Sequence, residues 1–565
     1  MPRRGRFIDE RGDLLGFAAM EFNLAAVSEA IAAAKPDAEC LVWRDRRFTW
    51  AEFTERSRRL ANYFLGRGVG GDERTTPRSE LQGWETGQDH LALYLTNGNE
   101  YLEGMIGGYK ARLAPFNVNY RYVEEELTYL LRDSGARAIV YSSAFAPTLA
   151  AVLPNLPDLT VLVQVDDGSG HALLPGAVEY EAALASVTAD RPAAEWSPDD
   201  LYILYTGGTT GMPKGVLWRQ ADIYVGALGG HQNGTEWEDL DQIAAGAVGG
   251  MRFLPSPPFM HGAGHWIALS GMHGGHVVVI QDETATFVAD DVWRTVERER
   301  ISFLLIVGDA FGRPLLDQLA KASYDLSSLN ILLSGGAALS ASLKAEFLEH
   351  LPHLMIIDGV GSSEAGGQLS HVTTKETGAS TGTFTAGPGN VVLDDDLTRV
   401  LEPGHAETGW LAKTGRIPLG YLGDQAKTER TFPTVGGVRF SVPGDRARMR
   451  ADGVVELLGR DSVTINSGGE KIFAEEVEHA LMHHPGVYDV VVCGRPSERW
   501  GSEVVAIVRI REGHDVTEAD LLAEAERHLA RYKLPKAFVF RDEIVRSPAG
   551  KADYRWARGI AAEPG

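Results

Sequence analysis

Cysteine is nearly absent from this chain: Cys40 and Cys493 are the only two in 565 residues. Two thiols cannot build a disulfide framework, which excludes a disulfide-stapled secreted scaffold and fits a reducing compartment. Basic charge is also short. Lys and Arg number 54 against 77 Asp and Glu, a formal net charge of −23, so the chain lacks the positive surface that nonspecific nucleic-acid or anionic-membrane binding requires. Long apolar runs are missing too, with no stretch of the about 18 residues that a spanning helix needs. The N-terminal "MPRRGRFIDERGDLLGF" has no apolar segment behind Arg3 and Arg4, so the arginine pair does not read as an export signal. No internal repeat or low-complexity tract is visible. These absences lead us to expect a cytoplasmic protein without a transmembrane segment or a nucleic-acid partner. Any anionic ligand must be held by local donors working against the average field.

The length exceeds what one hydrophobic core organises, so at least two domains are expected. Apolar runs of strand length alternate with helical periodicity: "HLALYL" precedes "EYLEGMIGGYKA", "HVVVIQ" precedes "VADDVWRTVERER", and "LNILLSGG" precedes "LSASLKAEFLEHL". That alternation predicts an α/β fold of parallel sheets covered by helices, with ligands at the carboxyl ends of strands. Near Gly444 the texture changes to short strands with Gly/Asp turns, "VRFSVPGDRARMRADGVVELLGR". A compact α+β unit follows, with helices expected over Ala474–His483 and Glu518–Arg531. We place the boundary at Arg460–Val463, giving domains 1–460 and 461–565. The polar stretch Asp72–Asp89 reads as a surface loop.

Against this background "LYTGGTTGMPKGV", Leu204–Val216, stands out. Glycines let backbone N–H groups approach an anion, and the threonine hydroxyls and Lys214 add donors, so the run describes a phosphate grip. It follows the strand-like "LYILY". The nucleotide-binding P-loop pattern fails here, because Gly215 stands where that pattern needs Ser or Thr after the lysine. Taken alone, a Gly/Thr-rich loop is also a common surface linker.

Further runs occur downstream in a fixed order: "PPFMHGAGHW", "LLSGGAALS", "DGVGSSEAG", "SVPGDRA", "LLGRDSVTINSGGEKIFAEEVE" and "RSPAGKADYRWAR". Each has an ordinary alternative. His261 can be a satisfied core histidine, Ser340 a helix N-cap, Asp445 a turn residue and Lys551 a solvated lysine. Together with T-G-G-T-T-G-x-P-K-G, however, the ordered set resembles the adenylate-forming superfamily of acyl- and aryl-CoA synthetases, luciferases and peptide-synthetase adenylation domains. The resemblance runs from about Asn23 to Arg558. It implies a large N-terminal domain of helix-covered sheets plus a distorted β-barrel, and a small mobile C-terminal domain.

The resemblance also implies roles. Thr206, Gly207, Gly208, Thr209, Thr210, Gly211 and Lys214 would grip the phosphates of ATP. Gly335, Gly336 and Ala337 would let adenine lie against backbone. Asp358, Gly359, Val360, Gly361, Ser362 and Ser363 would line the nucleotide, and Val360 stands where the family usually places a stacking Tyr. Glu364, with Thr206, would hold Mg²⁺ beside the phosphates. Asp445 would take the ribose hydroxyls, Arg460 ribose or phosphate, and Lys551 would be the adenylation lysine. Ser467, Gly468 and Gly469 would meet coenzyme A, and Ser462 falls at the hinge position, where the family usually has Asp or Lys. His261, Gly262, Ala263, Gly264 and Gly226 would line the acyl pocket, their small side chains leaving room; tight helix packing is the alternative reading of those glycines.

The implied activity is an ATP-dependent acid–thiol ligase forming acyl-CoA through acyl-AMP. Stretches such as "FNVNYRYVEEELTYLL" and "VTINSGGEKIF" are similar to actinobacterial synthetases for steroid side-chain or long-chain acids, which points to a bulky apolar acid. Medium-chain or aromatic acids stay open, as does an acyl-AMP ligase loading a carrier protein. The sequence does not report oligomeric state, and a homodimer is compatible with it.

Overall fold

The computed structural model describes residues 21–206, 212–232, 235–380, 382–467, 470–497, 501–547 and 550–563. The expected alternation of strands and helices resolves into two parallel sheets. In the first, Ala114–Asn117, His90–Tyr94, Ala136–Ser142, Val161–Val165 and Val178–Glu179 lie side by side in that order, all parallel. His90–Tyr94 is buried at every position, as a strand covered on both faces must be. The second runs in parallel from Glu39–Trp43 through Val277–Ile280, Arg252–Pro255, Phe303–Ile306 and Ile331–Gly335 to Met355–Ser362.

Beyond Met355–Ser362 the pairing turns antiparallel, through Gly366–Thr373, Thr383–Ala386, Val454–Arg460, Asp445–Met449 and Gly409–Thr414. This is the segment expected as a distorted barrel, and it joins the parallel sheet as one hydrogen-bonded ladder. Helices Gly308–Leu319 and Ala341–His350 follow the strands Phe303–Ile306 and Ile331–Gly335 and cover one face. Trp293, Leu304, Leu332, Leu343 and Phe347, all fully buried, pack between them. Each such side chain contributes about 1.5–3 kcal/mol by leaving water. The consequence for function is that the strand end at Gly335 opens into a partly exposed loop before the next helix.

After Arg460 a turn at Asp461–Val463 leads into a unit with its own apolar cores. Val487–Ser497 pairs antiparallel with Gly501–Ile510, which pairs in parallel with Ala537–Phe540. Both helices expected here form, each shorter than its apolar periodicity suggests. The first spans Ala474–Leu481 rather than reaching His483, because Pro485 biases the chain before it away from helical torsions. The second spans Glu518–His528 rather than reaching Arg531, since Leu529 adopts an extended conformation (φ −122°, ψ 147°). Cys40 and Cys493 are buried free thiols, and no helix among the described residues is long and apolar enough to cross a membrane.

Candidate active site

The phosphate-grip stretch begins and ends on paired strands. Leu201–Thr206 and Lys214–Arg219 pair antiparallel with Thr206 directly opposite Lys214, so the two polar residues flank the base of the connecting loop. Gly207, Gly208, Thr209, Thr210 and Gly211 lie outside the described residues. The Lys214 ammonium is 3.6 Å from Asp424. Burial works against its charge, but the Tyr129 hydroxyl, Asp133 and Asp424 outweigh that and hold its pKa above the ordinary lysine value.

Asn117 holds the base of this hairpin. Its side-chain carbonyl accepts from Tyr205 N at 2.8 Å, and its amide donates to Tyr205 O at 2.8 Å and to Met260 O at 2.7 Å. One buried amide thus ties the residue before the loop to the residue before His261. Sequence reasoning missed it, because its partners lie 88 and 143 positions away. Asn117→Ala strands three buried backbone groups, each costing about 1–3 kcal/mol when unpaired. We expect ATP–pyrophosphate exchange to fall about tenfold with a raised KM for ATP. Exchange kinetics on protein with an intact thermal transition check this, and unchanged kinetics would remove Asn117 from the site.

Glu364 stands in the turn between Met355–Ser362 and Gly366–Thr373, and its surroundings explain its fixed position. Trp218 Nε1, on the strand that leaves the phosphate loop, donates to Ser363 O at 2.9 Å. Lys413 Nζ donates to Ala365 O at 2.9 Å and Gly367 O at 2.7 Å, and the Ser441 hydroxyl donates to Glu364 O. One carboxylate oxygen of Glu364 accepts from the Tyr421 hydroxyl at 2.7 Å. Tyr421 in turn pairs with Val216 beside the phosphate loop. Burial and the Glu364 charge push the Tyr421 phenol well above its ordinary pKa, so it remains a donor. Lys427 caps the other face of that ring, its ammonium 3.9 Å from the centroid. No motif announced Tyr421; the contact arises from strand pairing.

Gly335 and Gly359 are register partners across parallel strands. Gly336 follows with φ +86°, a left-handed conformation that glycine adopts freely. Gly335, Gly336 and Ala337 are all at least partly exposed at the edge of the cleft. Ser340 occupies the N-cap position of Ala341–His350, but its side chain makes no capping bond; its hydroxyl lies 3.2 Å from that of Ser342. Asp358 is paired with Lys344 at 2.5 Å. Burial raises its pKa, although Lys344 opposes the shift. Val360 lies opposite Leu369 and packs on the apolar cluster of Val392, Leu411 and Val455. The Ser362 hydroxyl is buried without a partner among the described residues.

Asp445 and Arg460 are partners across two antiparallel strands, with Arg460 Nε 3.2 Å from the carboxylate. The Asp445 charge is the main reason the guanidinium pKa is raised. Lys551 comes to the same place from the C-terminal unit. Its backbone N–H donates to Ser547 Oγ at 3.2 Å, and its carbonyl accepts from Ser547 N at 2.8 Å. The preceding Gly550 packs against Val307 and Ala310 of the large unit, within 3.1 Å of where a Cβ would stand. The Lys551 side chain reaches solvent, yet protein crowds the cleft around it. That burial, with Arg460, lowers its pKa, while Glu364 and Asp445 oppose the fall. Ser462 is exposed within the Asp461–Val463 turn and Ser467 ends the short strand Ile465–Ser467. Gly468 and Gly469 lie outside the described residues.

His261 sits at the N-terminus of Gly262–His273 with its Nε2 buried and unpartnered among the described residues. Burial first, then the charge of Lys551, lowers its pKa to about 3, so it is neutral at physiological pH and cannot neutralise an anion. It is not a satisfied core histidine. His265 fills that description instead, bonded to Phe259 O at 2.7 Å and to the Tyr202 hydroxyl. Of the two readings open for the small residues, Gly264 follows close packing. A Cβ at Gly264 would meet Pro258 O at 2.6 Å and Pro257 O at 2.8 Å, and one at Gly226 would lie 3.3 Å from the Trp218 ring. At Gly264 the small side chain serves close backbone packing rather than pocket room. Gly262, against Leu204 and Trp266, and Ala263 remain partly exposed beside His261.

Residues 28–416 match the family described as AMP-binding enzyme, and residues 476–551 match the AMP-binding enzyme C-terminal domain. The chain belongs to that family, in the adenylate-forming superfamily, and its enzyme class is that of the AMP-forming acyl-CoA synthetases. It is 53% identical over 541 residues to the medium-chain acyl-CoA ligase Mig of Mycobacterium avium, covering 95% of this chain and 98% of that one. It is 42% identical over 554 residues to the 3-oxocholest-4-en-26-oate–CoA ligase of Rhodococcus rhodochrous, covering 95% and 96%. Among solved structures, an anthranilate CoA ligase, AuaEII, in complex with anthranoyl-AMP superposes with a TM-score of 0.79 at 21% identity, covering 96% of this chain and 97% of that one. ATP-bound MatB from Rhodopseudomonas palustris gives 0.78 at 22%, covering 96% and 99%. Those two likenesses speak for the fold alone.

Proposed function

We propose that this chain joins an apolar carboxylic acid, from medium chain length to the bulk of a steroid side chain, to coenzyme A through an acyl-AMP intermediate. The observation that carries the reading is convergence. Lys551 from the C-terminal unit lies within electrostatic reach of Glu364, Asp445, Arg460 and His261, while Tyr421 links Glu364 to the strand leaving the phosphate loop. The names of the two relatives support the substrate range.

The acid is already anionic and needs no base, so the work of the site is alignment and charge neutralisation. The loop between Thr206 and Lys214 would hold the phosphates of ATP, Asp445 and Arg460 the ribose, and Lys551 the negative charge that develops as the carboxylate attacks the α-phosphorus. Neutral His261 would present an uncharged edge to the incoming acid. The donors also fit Mg²⁺. Glu364 offers the oxygen that Tyr421 does not occupy and Thr206 a hydroxyl. Among the described residues no group of three carboxylate, His or Cys side chains gathers into a cage, which suits a cation held by one carboxylate plus substrate phosphates. When bound, that ion would offset phosphate charge.

For the second half-reaction the domain 461–565 would turn about Arg460–Val463, withdraw Lys551, and bring the Ser467–Gly469 face to coenzyme A. Ser462 lies in the exposed turn that would absorb the torsional change. Ser462→Pro restricts that turn, so thioester formation from supplied acyl-AMP should slow more than acyl-AMP formation. Rapid-quench measurement of the two half-reactions checks this, and an unchanged second step would move the hinge elsewhere.

A further inference from the structure

The contact between Glu475 and the end of strand Val454–Arg460 lies directly across the proposed hinge. Glu475 is in the first turn of helix Ala474–Leu481, the first helix of the C-terminal unit. Its carboxylate Oε2 accepts a hydrogen bond from the backbone N–H of Arg460 at 2.9 Å. The carboxylate is seated there by an omission. Gly459 has φ +125°, and a Cβ at that position would overlap Glu475 Oε2. Arg460 carries the guanidinium that pairs with Asp445. A residue of one unit thus grips, through a notch that only glycine leaves open, the backbone of a candidate ribose- and phosphate-binding residue of the other.

We propose that Glu475 is a positioning residue for the first half-reaction, a latch that holds the C-terminal unit in the orientation presenting Lys551 and that fixes Arg460 at the nucleotide. The bond joins atoms on opposite sides of the Asp461–Val463 turn, so rotation about that turn must break it. Its free energy therefore counts toward the adenylation orientation and not toward the rotated one. A hydrogen bond to a charged group contributes about 1.5–3 kcal/mol, which as a population shift is at least about tenfold. This inference rests on the two-step reading above.

The test compares Glu475→Ala, Glu475→Gln and Gly459→Ala in the two half-reactions separately. Acyl-AMP formation is read by ATP–pyrophosphate exchange, and thioester formation by acyl-CoA appearing from supplied acyl-AMP. Glu475→Ala should lower the first about tenfold and leave the second unchanged or faster. Glu475→Gln keeps a carbonyl acceptor of the same reach without the charge, and a neutral hydrogen bond should hold its loss to about threefold. Gly459→Ala fills the notch and also strains the backbone at φ +125°, so it should lower acyl-AMP formation at least as much as Glu475→Ala. Equal loss in both half-reactions, a Gln variant as poor as Ala, or a Gly459→Ala variant that keeps wild-type acyl-AMP formation would overturn the latch. Wild-type protein that shows no acid-dependent exchange would instead overturn the reaction assigned to the site.

Discussion

Lys551→Ala is expected to lower acyl-AMP formation by roughly 10²–10³ while leaving thioester formation from supplied acyl-AMP near the wild-type rate. The asymmetry follows from where the lysine stands. Its ammonium lies in reach of the charges of Glu364, Asp445 and Arg460 because Gly550, just before it, docks against Val307 and Ala310. The charge it would meet there develops on the α-phosphate in the proposed reaction, and removing one preorganised donor from such a site typically costs about 10²–10³ in rate. Thiol attack on the acyl-adenylate would follow the rotation that withdraws this lysine, so its loss should spare that step. Lys551→Arg keeps the charge but not the ammonium's compact geometry, so most of the loss should persist. Separate assays of exchange and thioesterification check both variants, and equal loss in the two steps would remove Lys551 from the chemistry.

Glu364→Gln should have the second largest effect, a loss of about 10²–10³ in acyl-AMP formation. The substitution is isosteric, so the contacts of the backbone around it with Trp218, Lys413 and Ser441 survive and the fold is spared. What disappears is the negative charge beside the phosphates. Raising Mg²⁺ should recover part of the loss through mass action on a weakened site, whereas Lys551→Ala should not respond. Tyr421→Phe gives a milder comparison. It releases one carboxylate oxygen and leaves the charge, so a loss nearer tenfold is expected, in line with a single hydrogen bond to a charged group worth about 1.5–3 kcal/mol. Magnesium titrations of all three variants separate these outcomes, and Glu364→Gln activity within twofold of wild type would place the cation elsewhere.

The residues legible in the sequence are those whose role is carried by a local pattern. Lys551, Glu364, Asp445, Arg460 and the Thr206–Lys214 pair each sit in a short run of characteristic spacing, and in the fold Lys551 lies near the charges of Glu364, Asp445 and Arg460. The parallel sheets were legible as alternation of apolar period, as was the unit after Arg460. What escaped depends on distant pairing. Asn117 acquires its meaning from Tyr205 and Met260, and Tyr421 from register with Val216. Neither leaves a local trace. Small residues were legible as small but not as to purpose, since Gly264 answers to the carbonyls of Pro257 and Pro258. Ser340 had the position of a cap without the bond, because a favourable residue type at an N-cap does not compel its rotamer. Helix ends were overrun where apolar periodicity continued past the point at which Pro485 or an extended Leu529 stops the helix.

The central claim, that this site activates an apolar acid for transfer to coenzyme A, is tested most directly by product analysis of the wild-type protein. ATP, Mg²⁺ and coenzyme A are supplied with a panel of medium-chain, long-chain, aromatic and steroid side-chain acids, and AMP and acyl-CoA are quantified together. Equimolar AMP and acyl-CoA, highest with a medium-chain to steroid side-chain acid and absent with acetate, is the expected result. AMP release that needs a carrier protein's phosphopantetheine arm in place of free coenzyme A, or no acid-dependent AMP at all, would contradict it.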